Sequence, residues 1–390
     1  LPFQNEGSST GLNQQGTGIR RAIFWGLVHV HNQLELQEKL RDDTKKKLEK
    51  TLKAEQKKAK QDEAKIEALK AELQAMGDGA DIEVDPDDVA LPGNILLIDE
   101  PENALHPQAV RAAQKQLYKL AEDADWQVLL TTHSPYFVNP LEDHTTIIRL
   151  ENTAVDGRVN SLSYVADNSS FEEAGVLNGL KALLQLDVSV SEMFFGSFPI
   201  LVEGDTEHAA FLSSIIEENK ELAKRAIVVK ARGKALLTPL AQILRHFKVP
   251  YGIMHDADTP YNKNGGNSGT WTENKKIREE IETARSEGLV VNHHVSFPDF
   301  EHWLDIEPVA KEKPMNAYTT ISGNQPYITK LSELFNALAS DNNHDPLSIE
   351  DFNRHAGGYM DALISESVGK AEELGMADLP CYSGIAPAPE

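Results

Sequence analysis

The chain has 390 residues, 40% hydrophobic and 25% charged, with 61 acidic against 38 basic side chains and a net charge of −23 at pH 7. That composition excludes a chain disordered throughout and leaves room for two or three domains with cores of their own. The single cysteine, Cys381, excludes an internal disulfide and a C-x-x-C zinc site, and the charge argues against a polyanionic partner held by overall attraction, although local patches and bridging metals override a net value. No apolar run reaches bilayer-spanning length, so no membrane partner and a cytoplasmic location are expected. The start, Leu1-Pro2-Phe3, has neither a basic leader nor an initiating Met, and the expectation is an internal piece of a longer protein.

In chain order, Gln15-Gly16-Thr17-Gly18 precedes an apolar helical stretch, Ala22 to Val30, and a helix start of this kind offers free backbone N–H groups to anions. From Gln33 to Met76 the chain is rich in Lys, Glu, Ala and Gln without Pro or Gly, which predicts one long helix or a helical hairpin. Leu34, Leu48, Leu52, Ile66, Leu69 and Leu73 form an apolar seam, but Thr44 to Lys60 is too lysine-rich for a regular heptad. This segment reads either as a solvated helix or as a coiled-coil arm for dimerisation. Residues 77–92 read as a linker. Ile95 to Ile98 then run into Asp99-Glu100, the arrangement of a Walker B strand, in which the aspartate completes a Mg²⁺ shell and the glutamate polarises a water. A second strand, Gln127 to Leu130, leads into Thr131-Thr132-His133. Thr146 to Leu150 and Val159 to Val165 read as short strands, and Ser169 to Leu186 as a connecting helix.

Two further apolar runs end abruptly in acids: Ile200 to Val202 in Glu203, with Glu207 four residues on, and Tyr251 to Met254 in Asp256-Ala257-Asp258. Between and after them strands and helices alternate, with a strand at Ala226 to Lys230, a helix from Ala235 to His246 and a strand at Val290 to Ser296, which predicts an open parallel α/β sheet. Ligands bind at the carboxyl ends of such strands. Carboxylates about 4 Å apart repel by roughly 4 kcal/mol at an effective dielectric near 20, so the acids need divalent cations, and all-oxygen ligands favour Mg²⁺ or Mn²⁺. Glu301 is a further carboxylate ligand candidate. Gly233-Lys234 reads as a phosphate-holding turn or a solvated helix start. Thr259 to Thr272 reads as a mobile loop whose Lys263 and Trp271 touch substrate, or as a plain connection. His293, His294 and His302 read as surface histidines, since no partner at zinc spacing accompanies them.

Val202-Glu203-Gly204-Asp205-Thr206-Glu207 followed by Asp256-Ala257-Asp258 resembles the TOPRIM domain shared by topoisomerases, bacterial primases and nucleases of the OLD (overcoming lysogenization defect) family. The resemblance implies catalytic roles for Glu203, Asp256 and Asp258, two Mg²⁺ or Mn²⁺ ions held with the help of Glu207, and a catalytic lysine at Lys370 in its Gly369-Lys370 context. The earlier motifs resemble the C-terminal half of an ABC-type ATPase of the SMC-like or OLD kind. Gly16 and Gly18 take the signature place, Asp99 and Glu100 the Walker B, Asn103 to His106 the D-loop and His133 the switch histidine. No G-x-x-x-x-G-K-[ST] phosphate loop occurs in the chain, so ATP is implied as a cofactor of a full-length protein carrying that half upstream.

The expected fold class is α/β. Residues 1–168 would be a partial ABC-type ATPase with a helical arm at 33–76, followed by a connecting helix at 169–196. Residues 197–305 would be a Rossmann-like TOPRIM sheet, and 306–390 a helical C-terminal region. The expected function is metal-dependent hydrolysis of phosphodiester bonds in DNA by a homodimer. A topoisomerase- or primase-like enzyme, a ribonuclease and a non-catalytic ATPase scaffold are the alternatives.

Overall fold

The computed structural model describes residues 3–5, 8–10, 44–57, 63–77, 93–139, 145–155, 158–165, 183–184, 187–195, 198–217, 219–309, 311–343 and 358–385. The glycine turn with Gly16 and Gly18, the helix expected at 22–30 and nearly all of the connecting helix lie outside these residues. The chain divides into two compact units, Leu1–Thr132 and His133–Glu390.

The first unit holds a small antiparallel pair, β1 (Phe3–Asn5) and β2 (Ser8–Thr10), and two arm helices, α1 (44–56) and α2 (Glu63–Gly77). Glu55 on α1 and Lys65 on α2 approach to 3.5 Å. On one continuous helix residues ten apart are about 15 Å apart, so α1 and α2 are two helices with a turn of the chain between them and not one straight rod. β3 (Asn94–Asp99) and β4 (Trp126–Thr131) pair in parallel, joined by α3 (Pro107–Ala121). α3 begins where Pro107 fixes φ at the first helical position and the His106 ring accepts the Gln108 N–H at 3.4 Å. It buries Val110, Leu117 and Leu120. Of the sheet residues Ile98 and Trp126 are buried, while Ile95 and Leu97 are 64% and 71% exposed.

The second unit begins with an antiparallel hairpin, β5 (Ile148–Val155) and β6 (Arg158–Val165), and is built around four parallel strands: β7 (Pro199–Val202), β8 (Ile227–Lys230), β9 (Tyr251–Asp256) and β10 (Val291–Ser296). Their order is β10-β9-β7-β8. Helices cover both faces, which is why these strands read as continuous apolar runs and not as alternating ones. On one face Leu201, Val229, Tyr251, Ile253 and Val291 pack under α6 (Leu237–His246) and α7 (Gly269–Ser286). On the other, Ile200, Val202 and Met254 pack under α4 (Asp205–Phe211), α8 (Phe300–Leu304), α9 (Lys313–Ile321) and α10 (Gln325–Leu338). A short α5 (Lys220–Ala223) precedes β8, and α11 (Tyr359–Glu373) and α12 (Pro380–Ser383) follow α10. Each fully buried Val, Leu, Ile or Phe contributes about 1.5–3 kcal/mol. α10 sits so close to β9 that a Cβ at Gly252 would meet the Leu338 carbonyl oxygen at 2.7 Å; only glycine fits there.

Two sequence readings change. Trp271, proposed to touch substrate from a loop, is a buried residue in the first turn of α7, packed with Ala257, Phe297 and Leu363. The helix was hard to see because charged pairs such as Lys276–Glu273 and Arg278–Glu282 interrupt its apolar stripe of Trp271, Ile277, Ile281 and Ala284. His293 and His294 are not surface residues but lie fully inside β10, a strand buried along its whole length. Their pattern is polar, yet a parallel strand covered on both faces has no solvent side to offer them.

Candidate metal centre

β7 has β8 on one side and β9 on the other, so the chain reverses its direction of travel across the sheet between β7 and β9. The crevice at such a switch point, beyond the strands' carboxyl ends, is where open α/β sheets bind ligands. Glu203 leaves β7 and Asp256 ends β9 at this crevice, and the backbone N–H of Asp256 donates to Glu203 Oε2 at 3.3 Å. Glu207, one turn into α4, is buried, and its Oε2 reaches back to accept the Gly204 N–H at 3.0 Å. From β10 the chain passes a cis Phe297–Pro298 bond to Asp299, which caps α8 by accepting the His302 N–H at 3.0 Å, and then to buried Glu301.

Asp258 has φ +60°, left-handed backbone that a non-glycine residue adopts only when its surroundings enforce it. Its own N–H donates to the Pro298 carbonyl at 3.1 Å, and the Ala257 N–H to the Ser296 carbonyl at 2.8 Å. The Ala257 carbonyl accepts from the Asn274 amide at 2.9 Å and from Lys234 Nζ at 3.4 Å. Lys234 is 4% exposed and pairs with Asp258 Oδ2 at 2.6 Å. Lys313 pairs with Glu301 at 2.9 Å. These ammonium groups neutralise two of the carboxylates. Neither pair is legible in the sequence as such: Lys234 reads as a phosphate holder or a solvated residue, and Lys313 lies on α9, twelve residues beyond its partner Glu301.

Asp256 is the least compensated. Its Oδ1 is buried and has no hydrogen-bond donor among the described residues. Burial first, then the charges of Glu207, Glu203, Asp299 and Asp258, push its carboxyl well above the usual range. Burial also raises Glu207, to about 7, with Glu203 and Glu301 adding to the effect. Glu203 is raised by burial and by Asp258, with Lys234 opposing. Among the described residues no three His, Cys, Asp or Glu side chains already converge as a ready ligand set. The donors fit a hard divalent cation: carboxylate oxygens only, one of them buried and unbonded.

Below the acids lies an imidazole pair. His255 Nδ1 is 2.8 Å from the Asp256 carbonyl, and His255 Nε2 is 3.0 Å from His293 Nε2. A carbonyl only accepts, so His255 carries its proton on Nδ1, and its bare Nε2 accepts from protonated Nε2 of His293. Burial holds both rings well below the usual histidine range, hence neutral. They tie the end of β9 to β10.

Lys370 stands apart from this group. It lies on α11 and pairs with Glu373 at 2.8 Å. It is seven residues, about 10 Å of helix, beyond Leu363, the last residue of α11 in the cluster that holds Ala257. In the first unit Asp99 Oδ1 accepts from the Thr131 hydroxyl, the Glu100 N–H donates to the Thr131 carbonyl at 3.1 Å, and Glu102 accepts from the Thr132 hydroxyl at 2.8 Å. Glu100 has φ +47°. His133 belongs to the second unit.

Comparison with known proteins bears on both units. Residues 80–138 match the AAA ATPase domain family, and residues 194–258 match the overcoming lysogenization defect protein-like TOPRIM domain, a span that runs from just before β7 to Asp258. An OLD nuclease of Thermus scotoductus (strain ATCC 700910 / SA-01) is 31% identical over 166 residues, 42% of this chain and 30% of that protein. The matched part is thus under a third of that relative's length. No helix among the described residues is long and apolar enough to cross a membrane.

Proposed function

Because the chain joins an AAA ATPase segment to an OLD-like TOPRIM domain, which supports its recognition as an OLD-family nuclease, we propose that it is a divalent-metal-dependent DNA endonuclease. The observation that carries this reading is the buried, unbonded Oδ1 of Asp256 among carboxylates whose protonation is forced upward by burial. Glu203, Glu207 and Asp256 would hold a Mg²⁺ or Mn²⁺ ion. Asp258 and Glu301, each paired with a lysine, would share a second by exchanging those partners. A cation held there supplies the acidity that activates water and neutralises charge on a phosphoryl group.

The remaining work falls to the chain. Fixed backbone contacts aim Asp258, Glu207 stiffens the turn after β7 through the Gly204 N–H, and the neutral imidazole pair holds the carbonyl of Asp256. Lys234 places a positive charge beside the crevice where a substrate phosphate would lie, and electrostatic stabilisation of this kind is worth several kcal/mol in a dry site. Lys370 would join it only from a different placement of α11. Asp99 and Glu100, with Gly16, Gly18 and His133, would contribute to nucleotide handling when a phosphate loop is supplied. Homodimerisation through α1 and α2 and a cytoplasmic location complete the proposal.

The test is a plasmid digestion series in EDTA, Mg²⁺, Mn²⁺ and Ca²⁺ with the parental chain, Glu203→Ala and Asp256→Ala. Cleavage by the parental chain in Mg²⁺ or Mn²⁺ but not in EDTA, and its loss in both variants, is expected. Parental-rate cutting by both variants would leave the scaffold alternative in its place.

A further inference from the structure

With a net charge of −23, the chain has to concentrate positive charge locally if it is to hold a polyanion. Its densest run of positive charge lies early in the chain. Residues 45–60 contain eight of the 38 lysines and arginines, and α1 covers most of that stretch. On α1 and at the residue that follows it, Lys46, Lys50, Lys53 and Lys57 recur at intervals of four, three and four and are all exposed. At about 100° per residue these four fall within a sector on one side of the helix. Leu48, Leu52 and Glu55 fall on the opposite side; the leucines are half-buried, and Glu55 is buried and meets Lys65 of α2. The lysines therefore lie on the side of α1 away from its contact with α2.

We propose that this lysine stripe is a nucleic-acid surface that grips successive phosphates of the DNA backbone. The choice of polyanion rests on the nuclease reading above. From Lys46 to Lys57 the stripe spans eleven residues, about 16 Å, which covers about five phosphates of one strand at 3.4 Å per step. Four point charges on flexible stems neutralise phosphates without reading bases, so the contact is sequence-independent. An anionic membrane suits the stripe less well, because a helix that lies on lipid presents its apolar side outward with its basic side. Here the apolar side is narrow and turned toward α2. A second copy of this chain has no complementary claim either, since like stripes repel.

The experiment uses the whole 390-residue chain, fluorescent duplex DNA and EDTA, so that binding is read without cleavage. Parental protein is compared over a salt series with K46Q/K50Q/K53Q/K57Q and with the matching four-arginine variant. Glutamine preserves helix propensity, and circular dichroism checks that the helices are intact. The glutamine variant should bind at least tenfold more weakly at about 0.1 M salt, and the slope of log K against log salt should become shallower by about 3 to 4, some 0.9 for each phosphate that is no longer neutralised. The arginine variant should bind as the parental chain does. Equal affinity and slope for parental and glutamine proteins would overturn the proposal. So would retention of the parental chain on phosphatidylserine vesicles without DNA binding, or a loss of dimer mass in the glutamine variant with the DNA slope unchanged. DNA binding through the stripe without cleavage in any metal would sink the nuclease reading and leave the stripe standing. Metal-dependent cleavage with a slope indifferent to the four lysines would do the reverse.

Discussion

Both units end a parallel strand in acids, yet the two strand ends differ in what surrounds them. β7 and β9 belong to a sheet covered on both faces, and the carboxylates at their ends are drawn inward, where burial raises Glu203, Glu207 and Asp256. Among the described residues β3 pairs with β4 alone, Ile95 and Leu97 are exposed, and Asp99 is exposed beside the Thr131 hydroxyl. The motif is similar; the dielectric around it is not. Charge on acids crowded into a dry crevice has to be offset by a cation or a proton far more than charge on an acid in water. Chemistry at a strand end thus depends on the layers above and below it as much as on the residue that ends it.

The comparison is broken most forcefully by single substitutions at the two ends. Asp256→Asn should lower metal-dependent cleavage more than about 100-fold, since even residues that only support a metal ligand cost about 10- to 100-fold. Its melting temperature in EDTA should hold or rise, because the change removes a repelling charge. A variant that cuts at the parental rate would place the chemistry elsewhere. Next in size, Asn274→Leu removes the amide that holds the Ala257 carbonyl in a shape of similar volume. Calorimetric Mn²⁺ affinity should drop by about tenfold or more while the fold persists. Unchanged affinity would show that Asp258 keeps its left-handed backbone unaided.

A third expectation concerns pH. Glu207 sits at about 7 in the folded chain against an ordinary 4.5, so the folded state binds its proton more tightly. Its contribution is fully present below 4.5 and lost as pH rises through 7. The buried histidines, lowered by the fold, act with the opposite sign below about 6.5, so the effect is isolated by substitution. Without metal, Glu207→Gln should be more stable than the parental chain at pH 8, by on the order of 1–3 kcal/mol, and the gap should close by about pH 5. Thermal melts across that range decide it; a pH-independent gap would mean that Glu207 is not displaced. The smallest change is Asp99→Asn, which should leave metal-dependent cleavage within about twofold, as exposed substitutions do.

Much of this was legible in the sequence because strand ends are written locally. An apolar run followed by Glu or Asp names both the strand and the acid at β3, β7 and β9, and β4, β8 and β10 also stand within a residue or two of where the sequence places them. What stayed hidden depended on the third dimension. Lys234 and Lys313 find their carboxylates from other elements, over 24 residues and over 12. α7 was masked by its own surface charges. The histidines of β10 read as polar and are buried, because a covered parallel strand imposes burial on whatever occupies it.

The hydrogen bond from Asn274 back to the Ala257 carbonyl closes a ring of chain that leaves the acids at Asp258 and returns as α7. Within that ring the loop turns at Asn262, whose side chain accepts the N–H groups of Asn264 and Gly266, and Lys263 stands exposed at the tip. Since the acid end and the helix end are fastened to each other and not to the tip, residues inserted there alter reach without re-aiming the carboxylate. Under the proposed metal chemistry, insertions at the tip should change which substrates are reached while metal binding stays as it is.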